Sequence, residues 1–433
     1  MGEQSSQNGG IGAEVVVVMV PLPAQGHLNQ LLHLSRLISS YNIPVYYTGA
    51  ATHLRQAKLR LQGWDPLSLS NLHFHEFPTP SDPHTKIKFS SQLAPFFHAA
   101  MLLRDPLRDF LSNLSKNTRR VVVIYDYFMS WNVQDIPSIP NAESYVFHSV
   151  SALSIYSFIW EFVQQKGPLP PEAQVLKHLP PNLEHLHPDL DEYGKLQRET
   201  LKFNSGALFN SCRMIEGPFL DLLAKEPILR ASQQWAIGPF NPVILPENKD
   251  SGMRHKSLAW LDKQEQNSVI FVSFGSSISL TEEQINEIAI GLAESEQKFI
   301  WVLREAEKGD VIVGEARRAE LPQGYEEGMK GKATGNSGPP IHGWVSESLR
   351  MEFVHGKHFN GSAHSGVAYA VGPAQERHAN HQDGVKRLMG SRDGDEMRRR
   401  AEELSRDLKL SVMDGGATRL EMDSFVSHLT REQ

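Results

Sequence analysis

A continuous run of apolar, mostly β-branched residues, EVVVVMVP at 14–21, is the feature that most constrains the fold. A strand with this sequence has no polar face, so both of its faces must be covered, as they are inside a parallel sheet. The next segment has apolar residues at helical spacing, at Leu28, Leu31, Leu32, Leu34, Leu37 and Ile38. IPVYYTG at 43–49 predicts a second strand, which completes a βαβ unit with a right-handed crossover.

The same alternation continues along the chain and starts again after a break. Further strands are predicted at 119–126, 143–149 and 206–211. The proline-rich stretch 236–252 predicts a linker. A second series follows, with strands at 268–276 and 298–304 and a helix at 281–295 that starts with the capping-box sequence TEEQ. We therefore predict an α/β protein with two doubly wound domains, at 1–240 and 253–433, facing each other across a cleft.

The C-terminal end of the chain is predicted to be helical. Met397, Ala401, Leu404 and Leu408 share one face at helical spacing, and the glycine pair at 415–416 is expected to end that helix.

Charge and cysteine content exclude several classes of function. A formal net charge of -7 leaves no basic surface for a nucleic acid or an anionic membrane. Cys212 is the only cysteine, so the chain has no internal disulfide and no thiolate metal site, as is usual in a reducing compartment. The polar N-terminus has no basic start, and VVVVMV is too short to cross a membrane. We expect a soluble, cytoplasmic monomer.

Two polar residues at predicted strand ends are candidates for catalysis. Gly26 and His27 lie between the first strand and the first helix, where Gly26 is expected to allow a tight turn. His27 is a candidate general base, and the helix N-terminus is expected to lower its pKa. Asp126 ends another strand and could orient His27 as the acid of a catalytic triad does. The alternative roles are a packing or capping histidine and an aspartate that caps the next helix.

Further candidates for substrate binding lie at two other strand ends. The sequence SFGSS at 273–277 ends a strand with small residues, among them Gly275, Ser276 and Ser277, which suits close approach to a phosphate. His148 and Ser149 end a strand of the first domain and are candidates for the wall of the cleft.

Several long segments resemble the plant UDP-sugar-dependent glycosyltransferases, in particular the zeatin O-glucosyltransferase group. They include VPLPAQGHLNQLLHLSRLI, FNSCRMIEGPFLDLL and SLAWLDKQEQNSVIFVSFGSSISLTEEQINEIAIGLAESEQKFIWVLR. The resemblance covers about residues 12–328 and resumes from about 385 to the end. It implies the GT-B fold, with two Rossmann-like domains, an acceptor bound mainly by the first and UDP-glucose mainly by the second. It also implies that His27 is the base, that Asp126 is its partner and that neither a metal nor another cofactor is needed.

The donor-binding sequence that this family carries is absent between about 330 and 385. That sequence runs from W-A-P-Q through H-C-G-W-N-S to a late D-Q. Neither W-A-P-Q nor H-C-G-W-N-S occurs in this chain. Met351 is encoded by ATG, and Glu352 by GAA or GAG. Reading from the second base of the methionine codon therefore gives TGG, the codon for tryptophan. The same shift applied to 341–379 permits S-T-G-G-F-L-S-H-C-G-W-N-S, and further on S-D-Q. We infer that this segment is translated out of frame.

The histidine-rich run at 351–381 has three possible explanations. It contains the pairs HGKH at 355–358 and HANH at 378–381, which have a spacing that could bind a metal. It could also be a poorly ordered loop, because glycines interrupt it and no apolar period supports a helix or strand. The shifted reading explains the histidines without selection for ligands, so we predict no metal site and a second domain disrupted at 330–385.

The resemblance implies an inverting, UDP-glucose-dependent O-glucosyltransferase that acts on a small lipophilic hydroxylated acceptor, most of all zeatin. The missing donor sequence supports an alternative of another class. The chain would then be the inactive product of a frame-shifted gene or an incorrect gene model, and at most an acceptor-binding protein.

Overall fold

The computed structural model describes residues 14–59, 65–78, 94–162, 168–178, 188–227, 229, 233–240, 260–265, 267–273, 282–302, 325, 333–335 and 384–432. The chain divides into two compact units. The first consists of Met1–Leu59, Asp65–Phe240 and Ala417–Gln433, and the second consists of Arg60–Trp64 and Asn241–Gly416.

The first unit contains a seven-stranded parallel sheet in the order β3-β2-β1-β4-β5-β6-β7. Its strands are β1 (Val15–Val20), β2 (Val45–Ala50), β3 (Leu72–Phe77), β4 (Arg120–Asp126), β5 (Ala142–His148), β6 (Gly206–Phe209) and β7 (Gln234–Ala236). The order reverses between β1 and β4, which is where an open α/β sheet forms a ligand crevice at the carboxyl ends of its strands.

The α-helices between these strands are α1 (Gln25–Ser39), α2 (Ala51–Leu59), α3 (Ala94–Met101), α4 (Arg104–Leu114), α5 (Ala152–Phe162), α6 (Pro188–Thr200) and α7 (Arg213–Leu223). Short 3-10 helices lie at Pro66–Ser68, Ser115–Asn117, Tyr127–Val133, Ile136–Ser138, Pro171–His178 and Leu201–Phe203.

The centre of this sheet is its most apolar part. Every residue of β1 and of β4 is buried. Each fully buried valine or methionine contributes roughly 1.5–3 kcal/mol through the hydrophobic effect. In α1 the predicted apolar stripe is buried except at Leu37, which is 38% exposed. The central βαβ unit predicted from the sequence is therefore confirmed.

The second unit contains a smaller parallel sheet in the order β10-β9-β8. Among the described residues its strands are β8 (Val269–Ser273), β9 (Lys298–Val302) and β10 (Ala333–Gly335). Its helices include α8 (Glu282–Glu294) and α9 (Arg392–Val412), and residues 384–390 are also helical. Ile285, Ile288 and Leu292 of α8 pack with Phe299 and Trp301 of β9. Both units are thus α/β with parallel strands, as predicted. Of the segment 330–385 that we predict to be disrupted, the structure describes only β10 and residues 384–385.

The C-terminal end agrees with the prediction only in part. Helix α9 ends before Gly415, which has a left-handed φ of 81°. Of the predicted apolar face only Ala401 is buried, and Met397 is 51% exposed. A further helix, α10 (Ala417–Thr430), was missed, and it belongs to the first unit instead of the predicted second domain.

Helix α10 is held on the first unit by aromatic packing and by hydrogen bonds. Phe425 is fully buried, with its ring centroid 5.1 Å from that of Trp235 and 5.5 Å from that of Tyr145. The Glu421 carboxylate accepts a hydrogen bond of 2.5 Å from the backbone N–H of Ala236 in the end strand β7. A carboxylate there satisfies a backbone donor that would otherwise be open to pairing with another chain.

The amino end of β4 provides a second anchor. The Arg120 side chain is 2% exposed and donates to the carbonyl oxygen of Leu429 at 3.0 Å. Arg431 pairs with Glu143 of β5 at 2.8 Å. Burial lowers the pKa of the Arg120 guanidinium. A buried charge without partners is costly. The last turn of α10 provides the Arg120 guanidinium with a carbonyl acceptor and so stabilises its burial at the start of β4.

We expect Phe425→Ala to destabilise the protein by about 3–5 kcal/mol, since it leaves a cavity between α10 and the sheet. Leu420→Ala on the same helix is the matched control, because Leu420 is 57% exposed and such a change usually costs under about 0.5 kcal/mol. Urea unfolding followed by tryptophan fluorescence measures both. Equal midpoints for the two variants would show that α10 is not an anchor of the first unit.

Candidate active site

His27 and Asp126 lie at the point where the strand order of the first sheet reverses. His27 is in the first turn of α1, which follows β1, and Asp126 is the last residue of β4. Because β1 and β4 are parallel neighbours, their carboxyl ends meet at one edge. The His27 Nδ1 atom lies 2.7 Å from Asp126 Oδ2, so the structure brings the two predicted residues together.

The Asp126 carboxylate has two partners, one for each oxygen. Asp126 is fully buried, and while Oδ2 faces His27, Oδ1 accepts a hydrogen bond of 3.0 Å from the backbone N–H of Phe128. It thereby caps the 3-10 helix Tyr127–Val133. The two roles that the sequence left as alternatives, orienting His27 and capping the next helix, are both present.

The pKa of His27 is raised above its usual value. Burial lowers it, but the negative charge of Asp126 and the hydrogen bond to that carboxylate outweigh the burial. The expectation that the helix N-terminus sets a lowered pKa is therefore wrong. Because a carboxylate accepts, Nδ1 donates its proton to Asp126, and this network assigns the lone pair of the neutral ring to Nε2. The His27 side chain is 22% exposed, so it is accessible beside a buried partner.

Ser149 and His148 differ in position although they are neighbours in sequence. The Ser149 hydroxyl lies 2.9 Å from His27 Nδ1, so the structure places this predicted residue beside His27. His148, the last residue of β5, is 2% exposed and stacks on Phe209 with ring centroids 4.8 Å apart. Burial lowers the pKa of His148 to about 4, which keeps the ring neutral. His148 is thus a core residue and does not form a wall of the crevice as predicted.

Gly26 lies in the first turn of α1, and open space surrounds the position that a Cβ would take. Among the described glycines only Gly415 has a positive φ, so Gly26 does not make the predicted tight turn.

A cluster of aromatic residues beside His27 was not predicted. The Phe128 ring lies edge to face with His27 at 6.4 Å between centroids. Phe128 stacks on Tyr193, which in turn stacks on Phe97 at 4.3 Å. The Tyr193 hydroxyl donates to the carbonyl oxygen of Phe128 at 2.6 Å. Phe128 could have been found from the sequence, because it stands two residues after Asp126, a candidate catalytic residue. Phe97 on α3 and Tyr193 on α6 carry no comparable signal.

Glu216 was also missed, and it supports the segment after Ser149. Its carboxylate accepts hydrogen bonds from the backbone N–H groups of Ala152 at 2.9 Å and Leu153 at 3.0 Å. These are N–H groups of the first turn of α5, where a negative charge is favourable.

Gly275, Ser276 and Ser277 lie outside the described residues, and so does the histidine run at 351–381. Within the described parts of the chain, no three histidine, cysteine, aspartate or glutamate side chains are grouped so that they could hold a metal ion. Within the same parts, no helix combines the length and apolar character needed to cross a membrane.

Comparison with known families identifies the two halves of the chain. Residues 13–242 match the glycosyltransferase N-terminal domain, and residues 248–318 match the UDP-glucuronosyl and UDP-glucosyl transferase family. The zeatin O-glucosyltransferase of Phaseolus lunatus is 39% identical over 464 aligned positions, which cover 96% of this chain and 97% of that protein. The zeatin O-xylosyltransferase of Phaseolus vulgaris is 38% identical over 96% of this chain and 98% of that protein.

Solved structures of plant glycosyltransferases have the same fold. A UDP-glucosyltransferase of Polygonum tinctorium superposes with a TM-score of 0.71 at 19% identity, covering 97% of this chain and all of the other. The UGT2 enzyme of Phytolacca americana superposes with a TM-score of 0.67 at 20% identity over 96% of this chain and 99% of the other. The chain therefore has the GT-B fold, and it belongs to the UDP-glycosyltransferase family, whose members use a UDP-sugar as co-substrate.

Proposed function

We propose that the catalytic residues of this chain serve transfer of glucose from UDP-glucose to the hydroxyl group of a small lipophilic acceptor, with zeatin as the first candidate. The similarity to zeatin O-glycosyltransferases over nearly the whole chain supports this acceptor. Because one of these relatives is a xylosyltransferase, UDP-xylose is the second donor to be tested.

In the proposed step the Nε2 atom of His27 accepts the proton of the acceptor hydroxyl. The acceptor oxygen then forms a bond to C1 of the sugar, and the bond between C1 and the phosphate oxygen breaks. UDP leaves with the electron pair from the opposite face, which inverts the configuration at C1. Asp126 stabilises the imidazolium that forms and holds Nδ1 as the protonated nitrogen.

The observation that carries this proposal is the 2.7 Å hydrogen bond between His27 Nδ1 and Asp126 Oδ2 at the reversal of strand order. His27 donates through Nδ1, so its Nε2 atom remains available for the substrate. A buried aspartate that also caps a helix cannot move easily, so the imidazole is held in one orientation. Ser149 and Gly26 complete the acceptor side of the site in this proposal.

The aromatic side chains next to His27 suit a flat acceptor. Phe128 and Trp131 are half-buried, and they belong with Phe97 and Tyr193 to one cluster. An aromatic ring placed against Phe128 would gain dispersion and edge-to-face contacts, and this would bring a hydroxyl on its side chain towards Nε2.

We further propose that the chain in its present form is a poor catalyst, because the family's donor-binding sequence is missing. The match to the UDP-glucuronosyl and UDP-glucosyl transferase family ends at residue 318, before the segment 330–385 that we infer to be out of frame. Gly275, Ser276 and Ser277 would remain as contacts to the diphosphate. Without the rest, the charge that develops on the leaving UDP has little preorganised electrostatic stabilisation, and enzymes usually depend on such stabilisation more than on any other effect.

We expect the chain as it stands to transfer sugar from UDP-glucose or UDP-xylose to zeatin only at background rate. Correcting the reading frame, including the absent W-A-P-Q segment, should produce transfer well above background. Product formation measured by liquid chromatography distinguishes the two proteins. Substantial turnover by the uncorrected chain would overturn the proposal and would mean that residues 330–385 form a donor site of their own.

An acceptor-binding protein without activity is the second candidate, because the acceptor-side residues are intact. Calorimetric titration of the uncorrected chain with zeatin tests it. Binding without turnover in that chain, together with turnover in the corrected one, would show that the first unit keeps its function when the donor site is lost.

For the corrected chain we expect kcat/KM to fall as the pH is lowered through the pKa of His27, because only the neutral imidazole accepts a proton. The midpoint should lie above the usual histidine value of 6.5, since Asp126 raises this pKa. Asp126→Asn removes the charge that raises it, so the midpoint should move to lower pH.

His27→Ala is the reference for this profile. It should lower kcat by about 10²–10⁴ with little change in UDP affinity, as loss of a general base does. The remaining activity should not show the His27 midpoint. Near-normal turnover in His27→Ala would show that the residue is only a packing histidine.

We propose a monomer in the cytosol as the working state. The sole cysteine, Cys212, is buried and is therefore not placed to link two chains. Analytical ultracentrifugation should give a mass near 48.6 kDa, and a sedimenting dimer would contradict this assignment.

A further inference from the structure

Gln30 joins three parts of the first unit next to His27. It lies one turn after His27 on α1, and its side-chain amide group (Nε2) donates to the carbonyl oxygen of Ser149 at 3.0 Å. Its side-chain oxygen accepts a hydrogen bond of 2.7 Å from Asn210, the residue that follows β6. The reversed amide orientation would place like groups against each other at both contacts, so the network assigns a single orientation.

Asn210 is itself fixed on both sides. Its side-chain oxygen accepts a hydrogen bond from the backbone N–H of Phe240 at 3.0 Å. The backbone N–H of Asn210 donates to the carbonyl oxygen of His148 at 3.2 Å. Gly238 packs so closely against Asn210 that a Cβ at this position would clash with the side chain. The network is therefore anchored at the ends of β5 and β6 and is not a surface contact that can rearrange freely.

The partner that this network holds is Ser149, which follows β5 directly. Its backbone carbonyl is bound by Gln30, and its hydroxyl lies 2.9 Å from His27 Nδ1. Because the Nδ1 proton is donated to Asp126 at 2.7 Å, the Ser149 oxygen can only accept a share of the same proton. Two acceptors on one nitrogen restrict rotation of the imidazole more than Asp126 alone would.

We propose that Gln30 is a positioning residue for His27, which it orients by holding the Ser149 carbonyl and thereby keeping the Ser149 hydroxyl on Nδ1. The inference rests on the proposed role of His27 as the base. Gln30 does not touch the reacting atoms in this account and acts through Ser149. Among the described residues, the titratable groups beside this network are Asp126, which pairs with His27, the neutral, buried His148, and the tyrosines Tyr47 and Tyr193. Burial and the charge of Asp126 raise the pKa of both tyrosines.

The test is a pH titration of His27 by nuclear magnetic resonance in the full-length chain labelled with ¹⁵N-histidine, with His27→Ala used to assign the signal. Gln30→Met keeps the side-chain length but removes both hydrogen bonds. We expect the pKa of His27 to fall by roughly half a pH unit, because the imidazolium N–H is a stronger donor than the neutral one and loses one acceptor. Ser149→Ala should give a similar decrease, and Ser149→Thr, which keeps the hydroxyl, should restore most of it.

The double variant Gln30→Met with Ser149→Ala decides whether Gln30 acts through Ser149. A decrease no larger than that of Ser149→Ala alone supports the proposal. Gln134→Met is the matched control, since Gln134 donates one side-chain hydrogen bond to the Trp131 carbonyl at 2.8 Å and should leave the pKa of His27 unchanged. An unchanged pKa in Gln30→Met, or additive decreases in the double variant, would overturn the proposal.

The measurement needs no turnover, so its failure is distinct from failure of the proposed function. If Gln30→Met shifts the pKa of His27 while His27→Ala leaves turnover of the corrected chain intact, the positioning network is real and the proposed base is wrong. A reduced urea midpoint in Gln30→Met with an unchanged pKa of His27 would show a purely structural role, which also overturns the proposal.

Discussion

The rest of the site depends on the two hydrogen bonds that the Asp126 carboxylate accepts. One oxygen holds the backbone at the start of Tyr127–Val133, and the other holds His27 of α1. A single buried group thus joins the ends of two neighbouring strands and sets the protonation of the imidazole. Aspartate suits both tasks, because its short side chain reaches the N–H two residues ahead and still presents a second acceptor. The rise in the pKa of His27 follows from the same contact.

The buried strands and the pairing of His27 with Asp126 could be predicted because their sequence signals are local. β1 and the stretch 121–125 of β4 are uninterrupted apolar runs. Asp126 is the last residue of β4, and His27 lies in the first turn of the helix that follows β1. The short strand β7 and helix α10 escaped prediction because their burial comes from contacts across long stretches of chain. The Phe425 ring packs against Trp235 and Tyr145, and no periodicity in the segment 417–430 predicts those contacts.

The prediction for His148 failed because a strand end does not say which way a side chain points. His148 and Ser149 are neighbours at the end of β5, yet the first is in the core and the second contacts His27. Gly26 was expected to serve a turn that α1 accommodates with ordinary helical geometry. Glu216 and Gln30 act through tertiary hydrogen bonds to backbone groups far away in sequence, and no spacing rule reveals such contacts.

The packing of α10 on the first unit has a consequence for biosynthesis. The first unit cannot be completed on the ribosome when Phe240 emerges, because Ala236 and Arg120 still lack their partners on Glu421 and Leu429. At ordinary elongation rates, translation of residues 241–416 takes on the order of 10–35 s, during which the β7 end of the sheet stays open. A reading-frame error that ended in an early stop would leave that edge open permanently. A chain that regains its family-like sequence before residue 417 can still close its first unit, whatever has happened to its second.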